Sequence, residues 1–406
     1  MYQKYCRVYI DVNYARMVNQ SIELIQQLDA ETIESGIISP QLDPETIESG
    51  IFSPQLDPDL QWMESLVLLL QKYYTPTSIV CGLIGNTITL FIITQTCLIR
   101  ASYNNYLSAH ILADTFYLIS LFCLWFAESG YNIYSFGAWC HFSIFLSHTT
   151  NFLSLWYHIC FLLDRMIGLF CPQCERKFCT VIKSRIVIVA LLMVAIPVFL
   201  NISLIVGIVR VGAQVFCVPL STFAHSWLML EKLDVFINGL LPYSVCVTFA
   251  LLLLWATHRD GLLQCKTNTT RPFESALDRN NYVLCLAYAW IHLLFNLPLQ
   301  ILRWTHTMKL IMNPNYQIPM YSILLQKLLS YLAHTLPALN FVITVTFYTG
   351  FRLAMKHMYK MLRSLRFECK CTCYVNPDRM RRPCISLSGN STPDPEGADI
   401  ALTEIT

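Results

Sequence analysis

A chain of 406 residues in which 55% are apolar and only 13% charged is too sparsely ionised for an ordinary soluble protein of that length, where about a quarter of positions are charged. A formal net charge of +2 leaves no basic excess for bulk nucleic-acid binding, so no nucleic acid is expected as a partner. The 17 cysteines do not indicate a small disulfide-rich secreted module, because the chain is too long and too apolar and most of them lie in apolar runs, where packing is their ordinary role.

Residues 1–62 form an acidic lead segment, with LDAETIESGIISPQ from Leu28, LDPETIESGIFSPQ from Leu42 and a third start at Leu56. So short a polar unit buries no core, so the segment reads as a disordered extracellular tail. A duplicated or misassigned coding stretch, with Met63 nearer the start, is the alternative. Met1 to Gln20 mixes charged with apolar residues and shows no secretory signal, so the first span would act as the insertion signal. Asn19-Gln20-Ser21 is a glycosylation sequon.

Seven weakly charged apolar runs follow, over residues 73–99, 101–127, 129–163, 186–209, 235–257, 280–302 and 328–351. About 20 helical residues cross a hydrocarbon core about 30 Å thick. Backbone groups in lipid must be paired within the segment, so these runs predict helices. The expectation is an all-α membrane protein, a seven-helix bundle over 73–363 with a short amphipathic eighth helix at 351–363, then a disordered tail over 364–406. Basic residues gather after the first, third and fifth runs and in the tail, including Arg100, Arg176, Lys177, Lys183, Arg259 and Arg352. Positive-inside bias then puts the C-terminus in the cytosol and the N-terminus outside.

Single polar residues in those runs separate the possible classes. They are Gly85-Asn86 in the first, Leu112-Ala113-Asp114 in the second, and Cys140 and Asp164-Arg165-Met166 at the two ends of the third. Pro172 follows, then Cys217 in the next outer loop, Pro242 in the fifth run, Asn296-Leu297-Pro298 in the sixth, and Asn340-Phe341 and Phe351-Arg352 at the end of the seventh. This set resembles the rhodopsin-like family of G-protein-coupled receptors. The 25 positions from Cys140 to Arg165 match that family's interval between its disulfide cysteine and the arginine of its D-R-Y motif. In helical rise that is roughly 37 Å, enough to reach from one membrane face to the other. Departures fall on the family's switch residues: D-R-M for D-R-Y, Phe295-Asn296-Leu297-Pro298 for C-W-x-P, Asn340-Phe341-Val342-Ile343-Thr344 for N-P-x-x-Y, and Ala250 for the tyrosine of the fifth span.

The resemblance implies roles for individual residues. Asp114, Ser154, Asn340 and Asn86 would line a sodium and water pocket; the plain alternative is a protonated Asp114 held by amides. Asp164, Arg165 and Pro172 would form the G-protein-coupling end, against a merely snorkelling arginine. Cys140 and Cys217 would be joined, or remain free thiols. Cys369, Cys371 and Cys373 would be acylated behind an interfacial helix. C-P-Q-C at Cys171–Cys174 is too weak a motif to indicate zinc. Ser386, Ser388, Ser391 and Thr392 would be phosphorylated by a receptor kinase to recruit arrestin, or lie in plain disorder.

Ser147 stands where amine receptors carry aspartate, beside His148, and His334 where opsins carry the retinal lysine; both ligand classes are disfavoured. The remaining cavity residues are Asp234, Asn296, Gln300, Arg303 and Gln326, with Glu128 at the rim. Asp234 and Arg303 either pair with each other or meet opposite charges on a ligand. N-L-P and N-F-x-x-x are most similar to invertebrate receptors of the FMRFamide and myosuppressin kind. That similarity implies a multi-pass plasma-membrane receptor for an extracellular peptide that activates a heterotrimeric G protein. A chemosensory receptor for small molecules is the alternative on the same fold, and a transporter the alternative outside it, although the spans carry no internal repeat. No nucleophile–base set appears, so no enzyme is expected.

Overall fold

The computed structural model describes residues 58–364 apart from 130, 132, 136, 212–213, 265–271 and 314–315. Asn19, most of the lead segment, and Cys369, Cys371 and Cys373 with the tail lie outside the described residues. Helix α1 (Pro58–Leu69) runs through a π turn at Leu70–Tyr74 into α2 (Thr75–Gln95). Then come α3 (Ser102–Glu128), α4 (Gly137–Phe170), the short α5 (Pro172–Phe178) and α6 (Val181–Leu204). A hairpin, β1 (Val206–Val211) and β2 (Gln214–Pro219), pairs Ile208 with Cys217. Helix α7 (Ala224–Val235) passes through a second π turn, Phe236–Leu240, into α8 (Leu241–Gln264). Helices α9 (Pro272–Met312), α10 (Met320–Phe347) and α11 (Thr349–Ser364) complete the described chain.

Both π turns have one local cause. Each is followed within two residues by a proline, Pro76 and Pro242. Proline has no N–H to donate, and its ring collides with the carbonyl four residues back, so widening the preceding turn accommodates it.

Six helices are long and apolar enough to cross a membrane: Leu60–Gln95, Ser102–Ala127, Val181–Leu204, Ser226–Trp255, Val283–Met312 and Met320–Phe347. Helix α6 shows why lipid is their solvent. Ile182, Ile186 and Met193 are 73%, 61% and 65% exposed on it, an outer face that water would not tolerate but acyl chains cover. The chain is thus an all-α membrane protein.

Helix α4 is 34 residues long but stands outside that apolar set. His141, Ser143, His148, Thr149, Thr150, Asn151, Ser154 and His158 dilute its hydropathy. They are affordable because α4 packs against α3, α6, α8 and α9. A helix surrounded by protein needs no oily surface. Beside it the helices follow one another in the order α6, α3, α2, α10, α9, α8, each packed against the next. Where α2 meets α10, Gly82 and Gly85 permit close approach: a Cβ on Gly82 would lie 2.9 Å from the Ala338 backbone, and one on Gly85 2.8 Å from Phe341 Cβ.

Several boundaries differ from those expected. Helicity begins at Pro58, inside the expected lead segment, because Met63 and Val67 are buried against Leu324 and Tyr331 of α10. The third run starts eight residues later than expected and extends to Phe170, since the charges of Asp164 and Arg165 are satisfied inside the protein and do not end the helix. The fourth run stops at Leu204, and Val206–Val209 is strand. The β-branched residues there have left the helix and pair with the facing segment. Helix α11, expected over 351–363, is amphipathic, with Phe351 fully buried and Tyr359 exposed.

Candidate functional site

Two polar clusters lie along α4. The first surrounds Asp114 of α3, 2% exposed. Ser154 of α4 donates to its Oδ1 at 2.5 Å, and Asn340 of α10 donates to its Oδ2 at 2.6 Å. Asn86 of α2 donates to the Pro337 carbonyl at 3.1 Å, which also accepts from Asn340 at 3.3 Å. Three helices therefore meet at one carboxyl group, and Asn340 links it through the Pro337 carbonyl to Asn86 of a fourth, over residues spread across more than 250 positions of sequence. The oxygens Asn86 Oδ1 and Asn340 Oδ1 are buried with no hydrogen-bond partner among the described residues. Carboxylate and amide oxygens are the ligand types that a hard cation such as sodium, or water, takes.

A cavity lies against this cluster, lined by Asp114, Asn151, Ser154, His292, Asn296 and Gln300 among others. It holds about 40 Å³ of space for the centres of water-sized groups, enough for about two or three waters. Of the residues assigned to a ligand cavity from sequence, Asn296, Gln300 and His334 line it. Ser147, His148, Asp234, Arg303 and Gln326 do not. His148 stacks on Phe199 of α6 with ring centroids 6.1 Å apart, so it faces a neighbouring helix. Ser147 is half-buried on the same turn, and Gln326 is 2% exposed. Arg303 is 2% exposed and donates to Asp234 Oδ2 at 2.9 Å, so of the two arrangements open from sequence, mutual pairing is the one observed. Arg303 also donates to Gln300 at 3.4 Å, and Asn238 donates to Asp234 at 2.8 Å. Glu128 ends α3, and its side chain lies outside the described residues.

Sequence reasoning missed the histidines beside Asp114. His110, His158 and His292 are 1%, 0% and 5% exposed. His158 stacks on His292 at 4.4 Å, and His110 lies 5.4 Å from His158 between centroids. His110 Nε2 is 3.6 Å from Asp114 Oδ2, while both ring nitrogens of His158 lack a partner among the described residues. A signal was present. Each histidine stands four positions from a polar residue already singled out (Asp114, Ser154 and Asn296), which is one turn on the same helix face. Among the described residues no group of three His, Cys, Asp or Glu side chains is arranged to hold a metal ion.

The second cluster is at the far end of α4. Arg165 donates to Asp164 Oδ2 at 2.8 Å and lies 3.9 Å from Glu175 Oε1 of α5. Its guanidinium sits over the Tyr103 ring, 3.8 Å from the centroid. Ser102 donates to both Asp164 oxygens, at 2.8 and 3.0 Å. The Tyr103 and Tyr348 hydroxyls are 3.0 Å apart, and Asn104 donates to the latter at 2.9 Å. This arginine is therefore held by three helices. Pro172 opens α5, which carries Glu175. Cys171 and Cys174 are bonded to each other, with Cα atoms 5.2 Å apart, which excludes their joint use as zinc thiolates in this form. At the opposite end of α4, Cys140 is bonded to Cys217 of β2, with Cα atoms 5.5 Å apart, tying the hairpin to the helix.

Compared with known proteins, the chain matches no family model, and no curated protein is significantly similar to it.

Proposed function

We propose that this chain is a G-protein-coupled receptor of the rhodopsin-like kind, in the plasma membrane with its N-terminus outside and its C-terminus in the cytosol. In this reading α4 is the seventh span and α11 an eighth helix lying on the inner leaflet, followed by acylated cysteines. The observation that carries the reading is the buried Asp114 carboxyl group held by Ser154 and Asn340 from two other helices, with Asn340 sharing the Pro337 carbonyl with Asn86 of a fourth. Such a group at mid-depth is costly in lipid and is retained where it serves function.

The ligand in this reading is an extracellular peptide that enters beside the β1–β2 hairpin. Agonist binds one arrangement of α8 and α9 more tightly than the other, since equal affinity would shift nothing. Pro298 within α9, and the π turn before Pro242, give those helices points of bending. Movement of α9 opens the Arg165 end, where Arg165 exchanges Asp164, Glu175 and Tyr103 for a heterotrimeric G protein. A sodium ion, when bound, supplies the positive charge that balances Asp114. Asp114, Ser154, Asn86 and Asn340 would hold it and so tie α2, α3, α4 and α10 together in the resting form. Arrestin and a receptor kinase are the further partners of the tail. The protein does no covalent chemistry.

A second reading, a chemosensory receptor for small molecules on the same helices, is favoured by two observations. The cavity beside Asp114 is small, and Asp234 is engaged by Arg303 rather than facing a peptide cation. Second-messenger readout in cells, against amidated neuropeptides and a library of small polar molecules, separates the two. A response lost in Arg165→Ala at equal surface expression supports a receptor. Mapping that places Arg165 and Cys217 on the same side of the membrane overturns it.

A further inference from the structure

The thiol groups of Cys171 and Cys174, at the corner beyond α4, have no role in the coupling scheme above. Cys171 and Cys140 are 31 positions apart, about 46 Å of helical rise against a hydrocarbon core of about 30 Å. If α4 spans the bilayer, as the proposed function holds and as this inference requires, the two disulfides lie on opposite sides of it. One side is the cytosol, where thiol pools keep most cysteines reduced. One of the two bonds therefore faces reductant whichever way the chain is oriented.

The two bonds are unlike in the ways that decide which is exchangeable. Cys140–Cys217 spans 77 positions and is buried, with the cysteines 0% and 6% exposed. Cys171–Cys174 spans three positions and is only half-buried. Closing so short a loop removes little chain entropy, so the bond contributes little to folding and its loss is tolerated. Arg176, Lys177, Lys183 and Arg185 follow the short bond closely in sequence, which marks its side as cytosolic. Cys179, the remaining cysteine of this corner, donates to the Asp164 carbonyl at 3.7 Å. Burial, with Asp164 adding, pushes its thiol up to about 12, which keeps it protonated and out of exchange.

The corner also touches the arginine. Cys171 N–H donates to Ile167 at 2.9 Å, Glu175 N–H donates to the Cys171 carbonyl at 3.0 Å, and Cys174 N–H donates to Cys171 Sγ at 3.3 Å. Glu175 follows Cys174 directly and lies against Gly168, where a Cβ would be 3.2 Å from its carboxyl carbon. The bonded corner thus aims Glu175 at Arg165.

We propose that Cys171 and Cys174 form a reversible thiol–disulfide site, exchanged by glutathione-class thiols, whose oxidised form holds Glu175 against Arg165. In reduction a low-molecular-weight thiolate attacks one sulfur, the Cys171–Cys174 bond breaks and a mixed disulfide forms. A second such thiolate resolves it. The two electrons come from the two small thiols, which leave as one small disulfide, and their two protons end on Cys171 and Cys174. Oxidation by the small disulfide reverses these steps.

The test uses the full chain in membranes equilibrated with glutathione buffers of graded reduced-to-oxidised ratio, then trapped with mass-tagged maleimides and read by peptide mass spectrometry. Cys171 and Cys174 are expected to pass together from thiol to disulfide across cytosol-like ratios, while Cys140–Cys217 stays bonded. Hydrogen exchange at the amides of residues 167–175 is expected to rise roughly tenfold on reduction, and Cys174→Ser to show the reduced pattern in every buffer. A pair that stays bonded in excess reduced glutathione, one that never forms in excess oxidised glutathione, or exchange rates equal in both forms overturns the proposal. An impermeant maleimide on intact and permeabilised cells separates the two levels. Labelling of the reduced pair from outside removes the membrane topology and the proposal with it. Labelling only after permeabilisation, with no glutathione response, removes the proposal alone.

Discussion

Asp114 and Arg165 are both held by side chains from other helices, and their substitutions have different consequences. Asp114→Ala leaves the Ser154 hydroxyl and the Asn340 amide without their acceptor in a dry interior, at about 1–3 kcal/mol for each donor. A lowered unfolding temperature of the protein in detergent is the expected result, with Asp114→Asn less affected because it keeps one acceptor. At Arg165, Tyr103→Leu removes the ring beneath the guanidinium and the contact with the Tyr348 hydroxyl. If the held arginine is the resting form, ligand-free nucleotide exchange on a G protein should rise roughly fivefold, the equivalent of about 1 kcal/mol. Tyr103→Phe, which keeps the ring, should change it less. Asp114 and Arg165 were legible as polar residues within or at the end of apolar runs, and Ser154 through the resemblance alone. Tyr103 and Tyr348 were not, because nothing in a tyrosine near a span's end tells which arginine 62 positions away it will meet.

At the scale of elements, apolar periodicity and length located the helices well and their ends poorly. Residues 101–127 agree with Ser102–Glu128 almost to the residue, since basic and polar neighbours bound that run on both sides. The hairpin was missed because Val206–Val209 continues the apolar run of α6 up to Arg210, with Gly207 its sole interruption. Contact between elements makes a sharper test. Gly85 leaves no room for a side chain beside Phe341, so Gly85→Leu should destabilise the α2–α10 contact by about 1–3 kcal/mol through overpacking. Combining it with Phe341→Ala should recover part of the loss. A thermal-shift double-mutant cycle measures this, and strict additivity would show that the two positions do not touch.

Across the whole molecule, the helices packed about α4 are tied outside the apolar core by two kinds of link, the Cys140–Cys217 bond and the buried Arg303–Asp234 pair. Arg303→Met alone strands a carboxylate and should cost about 3–5 kcal/mol. Arg303→Met with Asp234→Leu should return close to the parent stability, because an apolar pair replaces a desolvated ionic one at little cost. Unfolding temperatures of the two singles and the double decide it. A double no more stable than the worse single would mean that Arg303 is held chiefly by groups other than Asp234.

The sequence by itself determined the solvent, the helical class and the depth of most landmark residues. Those depend on local hydropathy and on a rise per residue that every helix shares. It also placed Cys140 and Arg165 at opposite ends of one long segment. Only the tertiary structure decided that Asp234 meets Arg303, that His148 turns to Phe199 rather than to the cavity, and that His158 stacks on His292 with His110 between them and Asp114. Which face of a helix meets which neighbour is set by packing across residues far apart in the chain, and no local spacing encodes that choice.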